Sequence, residues 1–370
     1  MKTVGIITFH GAHNYGSSLQ AFAMQKIYEE LGAHSEIINF RTSIQKDQYA
    51  PLTKRKGLKY FLKNAFFILN YILNYKSRKS KYMKFEHFIS TYLKTSKLEY
   101  NSEKELFENP PQYDLYVCGS DQIWNTAPND ASMAYFLSFI KNGRKVSFAP
   151  SFGQIGTIDH MEEISSYLSD FDMLSVREAR GQELVKEMTG KDVPIFMDPT
   201  ILFSASTWDK LCAPQLLNGD YIFYYSLFST KEMIQEVKKL SKQLGIPVVI
   251  SNISNQHELL NGFIQKTSSG PCEFLSLIKH AKLVVTSSFH GTIFSILYNK
   301  PFLVYKGMED KRISTLLKTT RLEKCAFLHK EAEEKLSEIF QLDFSLANDA
   351  IKKERSRSIA YLKKTLEMRR

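Results

Sequence analysis

Short apolar runs alternate with helix-length amphipathic stretches along most of this chain, and few folds can accommodate that order. Val4–Thr8 is a short apolar run bounded by turn residues. Leu19, Phe22, Ala23, Ile27 and Leu31 then recur at helical spacing from Ser18 and stop at Gly32, a helix-ending residue. Ile37–Phe40 is the next apolar run. A strand-helix-strand start of this kind implies parallel strands joined by crossover helices, hence a doubly wound sheet. Strand patterns return at Tyr113–Cys118, Lys145–Phe148, Met173–Val176 and Val193–Phe196, with helical patterns at 160–169 and 178–189. A second alternation runs Tyr221–Leu227, 231–243, Pro247–Ser251, 272–281, Leu283–Thr286, 290–298 and Phe302–Tyr305. The fold class is therefore α/β: two Rossmann-like doubly wound domains facing a cleft, over 1–212 and 213–344. The tail 345–370 is a basic amphipathic helix that, by analogy with proteins of this layout, packs back on the first domain.

Charge is concentrated in one place. Residues 41–100 hold 14 Lys/Arg against 3 Asp/Glu, an excess of +11 where the whole chain carries +10. This stretch reads as a helical basic insertion in the first domain. Its most apolar part, YFLKNAFFILNYIL (60–73), is shorter than the roughly 20 apolar residues that span a bilayer. Two uses fit it: a helical insertion with a solvated basic face, or a peripheral contact with an anionic membrane. No helix-turn-helix, zinc-finger or RNP-like pattern points to nucleic acid. Four scattered cysteines, Cys118, Cys212, Cys272 and Cys325, form no CxxC pair and suit a reducing cytoplasm, where the basic stretch would meet the inner membrane face if it docks on a membrane.

In open α/β sheets ligands bind beyond the carboxyl ends of the strands, so the loops there are the candidates. FHGAHNYGSS (9–18) offers His10, His13, Asn14, Gly16 and Ser17 before a helix start that attracts anions; ordinary turn chemistry is the alternative. CGSDQIWN (118–125) places Ser120 and Asp121 after a strand, as ligand groups or as a cap, with Trp124 available for a sugar or for the core. Arg177 follows the strand MLSV, where its fork suits a phosphate or carboxylate. TSSFHGTIFS (286–295) puts Ser288 and His290 at the start of a helix; imidazole beside an anion pocket can act as general acid or base. Lys306, Lys311 and Arg312 follow a later strand and could reach phosphate oxygens. The pair Asp170 and Asp172 runs straight into an apolar strand, so no metal is expected.

Taken in order, HNYGSSLQA, YDLYVCGSDQIWN, SVREARG, FMDPT and VVTSSFHGTIFSILYNKP resemble the polysaccharide pyruvyltransferase family over roughly 1–310. The resemblance implies a fold similar to glycosyltransferases of the GT-B type. It also implies transfer of a pyruvyl group from phosphoenolpyruvate to a sugar or oligosaccharide, free or lipid-linked, of a cell-surface polysaccharide, with no cofactor. His290 matches the histidine of the family's second domain, the acid that activates the donor. Arg177 matches an arginine that holds the donor, and Asn14–Ser17 match the first loop. Characterised members carry a basic residue two positions before the histidine; this chain has Ser288. A GT-B glycosyltransferase using a sugar nucleotide and a catalytically inert glycan-binding protein are the alternatives.

Overall fold

The computed structural model describes residues 1–51, 74–128, 130–153, 160–252 and 261–368. The apolar stretch 60–73 lies outside the described residues. Two compact units emerge: Met1–Leu202 together with Arg355–Arg370, and Phe203–Glu354. The division falls at Leu202, ahead of the position 212 expected from the sequence.

The first unit holds a parallel five-stranded sheet of β1 (Thr3–Ile7), β2 (His34–Phe40), β3 (Thr95–Tyr100), β4 (Leu115–Cys118) and β5 (Arg144–Ser147). Their order is β3-β2-β1-β4-β5. The central strands read as unbroken apolar runs because both faces are buried, as LYVC of β4 is. β3 corrects one expectation: the end of the basic stretch is an edge strand, not helix. Ser96 and Tyr100 of β3 are buried while the residues between them face solvent. Between β2 and β3 the described helices are α1 of the insertion (Ser43–Tyr49) and α2 (Tyr75–Tyr92), the latter exposing Lys76, Arg78 and Lys79.

Two expected strands shrink to single pairings, Val146 with Met173 and Val176 with Ile195. Side chains supplement the few backbone bonds beside the first of them. Lys145 N–H donates to Asp172 Oδ2, Ser175 N–H donates to Ser147 Oγ, and Ala149 N–H donates to Ser175 Oγ. The carboxylates of the Asp170/Asp172 pair are thereby engaged, Asp170 with Lys145 and Asp172 with backbone.

The second unit holds a parallel six-stranded sheet of β6 (Ile222–Tyr225), β7 (Val248–Ile250), β8 (Ile264–Gln265), β9 (Leu283–Thr286), β10 (Phe302–Tyr305) and β11 (Ala326–Phe327), ordered β11-β10-β9-β6-β7-β8. In each unit the chain builds outward from one central strand, then returns and builds outward on the other side. The reversals lie between β1 and β4 and between β6 and β9. Right-handed crossovers send the helices of the two halves to opposite faces, which opens a crevice at each reversal.

The final helix, Ser345–Glu367, starts in the second unit and ends in the first. There Tyr361 Oη donates to Ser147 O and Tyr28 Oη meets Thr365 Oγ1 at 3.1 Å. Lys2 and Arg144 donate to Leu366 and Met368 carbonyls, satisfying the helix's open C-terminal end. Among the described residues no helix is long and apolar enough to cross a membrane.

Candidate active site

At the first unit's reversal, the loop after β1 and the loop after β4 are laced together. Thr8 Oγ1 donates to Ser120 O, Gln20 Nε2 donates to Thr8 Oγ1, and Ser120 N–H donates to Gln20 Oε1. The helix after β1, Tyr15–Glu30, begins earlier than its apolar spacing suggests, because Asn14 caps it: Asn14 Oδ1 accepts from Gly16 N–H and Ser17 N–H. This frees Ser17 Oγ to donate to Asp121 Oδ2 at 2.5 Å across the reversal. Gly119, at φ 120°, passes so close to the Phe148 carbonyl that a Cβ would collide with it. Ser120 Oγ donates to Ala149 O. Trp124 is a core residue, fully buried and stacked on Phe136.

The two histidines of the first loop are internal. His10 is fully buried, its ring nitrogens 3.3 Å from Thr8 O and 3.1 Å from Asn39 Oδ1. Burial lowers its pKa to about 4. His13 stacks on Phe85 (4.9 Å between centroids) and sits 2.8 Å from Glu86 Oε1. Arg41 grips the same Glu86 through both Nη atoms. Burial favours the protonated carboxyl of Glu86, but the hydrogen bonds from His13 and Arg41 outweigh it and bring its pKa down to about 2. Both histidines therefore dock neighbouring elements onto the loop and do not reach outward as ligand groups.

Arg177 also departs from its expected place at a crevice mouth. It is 3% exposed. Nη1 donates to Asp198 Oδ2 at 2.9 Å, and Asp121 and Glu178 carboxylate oxygens lie 3.9 and 4.0 Å from its other nitrogens. One guanidinium thus faces three carboxylates drawn from three separate loops. Asp198, within FMDPT, is the residue that sequence reasoning passed over; its Oδ1 accepts from Thr200 N–H and Oγ1.

At the second unit's reversal the corresponding loops follow β6 and β9. Thr286 Oγ1 donates to Tyr225 O at 2.6 Å, and Ser226 Oγ meets Ser287 Oγ at 2.7 Å, closing the reversal from both sides. Ser287 lies within the TSSFHGTIFS stretch singled out in the sequence, whereas Ser226 carried no signal there. The helix Phe289–Leu297 starts directly after β9. Ser288 is its cap, accepting from Gly291 N–H through Oγ, so its hydroxyl serves the helix itself. Gly291 is required: a Cβ there would lie 2.5 Å from Thr286 Oγ1. His290 sits in the first turn, 8% exposed, its ring edge-on to Phe289 at 5.3 Å. A helix N-terminus at a strand's carboxyl end favours an anion. Of the three cations after β10, Lys306 turns to Glu309 (3.2 Å), Lys311 is exposed, and Arg312 pairs with Asp310. Among the described residues no group of His, Cys, Asp or Glu is placed to hold a metal ion.

Residues 14–306 match the Polysaccharide pyruvyl transferase family. The chain belongs to that family. No curated protein matches it. Solved structures share its fold at low identity. The Staphylococcus aureus MnaA–UDP co-structure has a TM-score of 0.53 at 11% identity, covering 99% of this chain and 97% of its own. The Neisseria meningitidis UDP-GlcNAc 2-epimerase bound to UDP-GlcNAc has a TM-score of 0.52 at 12% identity, covering 99% of each. An alpha-glucosyltransferase in complex with UDP has a TM-score of 0.51 at 9% identity, covering 98% and 95%. This pyruvyl transferase family member therefore has the GT-B fold of two Rossmann-like units.

Two outcomes follow for the interior of the first unit. Arg177→Met removes the guanidinium that three buried carboxylates face and costs about 3–5 kcal/mol. Denaturant unfolding checks this; a variant as stable as the parent contradicts it. His10 takes up a proton more readily unfolded (pKa 6.5) than folded (about 4), so its contribution to stability is full above pH 6.5 and is lost as pH falls toward 4. The loss reaches about 3 kcal/mol. Urea titrations at pH 7 and 4.5 should show a smaller acid loss in His10→Asn than in the parent.

Proposed function

We propose that this protein transfers a pyruvyl group from phosphoenolpyruvate to a sugar of a cell-surface polysaccharide or its lipid-linked precursor, forming a cyclic ketal and releasing phosphate. The observation that supports the reading is the position of His290, in the first turn of a helix that leaves β9 at the strand-order reversal. A donor with a phosphate and a carboxylate suits a helix N-terminus. His290 acts as general acid, giving a proton to C3 of the enol. C2 then becomes electrophilic, a sugar hydroxyl adds to it, phosphate departs, and a second hydroxyl closes the ketal. One hydroxyl proton restores the imidazolium and the other leaves with phosphate.

A second reading has support of its own. The fold neighbours carry UDP or UDP-GlcNAc, which would make this chain a transferase using a sugar nucleotide. Incubation with phosphoenolpyruvate or a sugar nucleotide and an oligosaccharide acceptor separates the two. Phosphate release that depends on acceptor supports pyruvyl transfer; release of nucleoside diphosphate supports the rival; neither supports an inert binder. His290→Ala should lower the pyruvyl-transfer rate at least about 100-fold while melting at the parent temperature. An undiminished rate would remove His290 from the chemistry.

A further inference from the structure

Arg312 sits differently from every other cation near the second unit's reversal. Asp310 caps the helix Lys311–Thr320 by accepting from Arg312 N–H and Ile313 N–H. The same carboxylate takes Arg312 Nε at 3.1 Å and Nη2 at 2.6 Å, a fork-on-fork pair. Both side chains are largely buried, at 14% and 13% exposed. Burial favours the neutral carboxyl of Asp310, yet the Arg312 hydrogen bonds and charge hold its pKa below the usual carboxylate range. The pair is thus ionised and fixed in place. Its guanidinium carbon lies 5.9 Å from the centre of the Phe289 ring, over the first residue of the histidine-bearing helix. Nη1 takes no partner among the described residues. Lys306 and Lys311 are solvent-facing and lack such a support.

We propose that Arg312 grips the anionic group of the donor beside His290, with Asp310 as its positioning residue. The inference rests on the pyruvyl-transfer reading for the identity of the anion. Asp310 uses the Nε edge of the guanidinium, which leaves the Nη1 edge to bond a phosphate or carboxylate oxygen. Arginine suits this role because its fork is rigid and its charge survives partial burial.

Calorimetric titration of phosphoenolpyruvate into the full chain tests this, with inorganic phosphate as competitor. Arg312→Ala should weaken binding at least about tenfold. Lys306→Ala should stay within about twofold of the parent. Where Arg312→Ala does not fold, Arg312→Lys decides: it keeps the charge and the contact with Asp310 but not the fork, and should bind several-fold more weakly. Parent-like affinity in the folded Arg312 variant, or an equal loss in Lys306→Ala, overturns the assignment. If the parent binds uridine diphosphate and not phosphoenolpyruvate, the pyruvyl-transfer reading falls alone. The same variants titrated with uridine diphosphate then decide Arg312: a loss upholds its grip on phosphate, and no loss overturns it. A parent that binds none of these anions overturns both.

Discussion

Neighbouring parallel strands need a crossover between them, and right-handed crossovers force the chain to reverse if it is to build on both sides of its first strand. Each sheet of this protein makes that reversal once, β1 against β4 and β6 against β9. At those two places the flanking loops cannot pack on a common helix, so polar side chains must satisfy one another across the gap. Ser17 with Asp121, and Ser226 with Ser287, do so. The candidate chemistry of each unit lies where the backbone leaves such a gap.

The two reversals have opposite electrostatic characters despite sharing a topology. In the first, carboxylates from three loops converge on Arg177 and use its charge internally. The cluster ties together the loops after β4, after Met173–Val176 and after Val193–Phe196, and its burial makes it intolerant of losing the Arg177 guanidinium. In the second, a helix start carries a buried imidazole, and a braced guanidinium lies over the ring of that helix's first residue, Phe289.

Much of this was legible in the sequence. The strand-helix alternation, the two-unit architecture and the loops at the strand ends follow from periodicity and from glycine, serine and aspartate punctuation. His290 could be placed at a helix start from TSSFHGT alone. Other features depend on what meets in space. Arg177 follows an apolar run as a ligand arginine would, but nothing local announces that Asp121 and Asp198 close on it. His10 and His13 look like ligand groups in a glycine-bearing loop, yet Asn39, Phe85 and Glu86, far along the chain, take them into the interior. Met173–Val176 and Val193–Phe196 have strand composition but keep only short backbone pairings, and side-chain hydrogen bonds of Ser147, Asp172 and Ser175 supplement the first of them. Arg312 could not be ranked above Lys306 and Lys311 until Asp310 was seen to fix it.

The claim most open to direct measurement is that the donor binds at the second unit's reversal and not against Arg177. With the rings of its nine histidines labelled with carbon-13, the protein can be titrated with phosphoenolpyruvate and followed by NMR. The account predicts that the His290 ring signals shift with saturation while those of His10, sealed beside Thr8 and Asn39, stay in place. Saturable binding that leaves His290 unmoved and shifts His10 would contradict it.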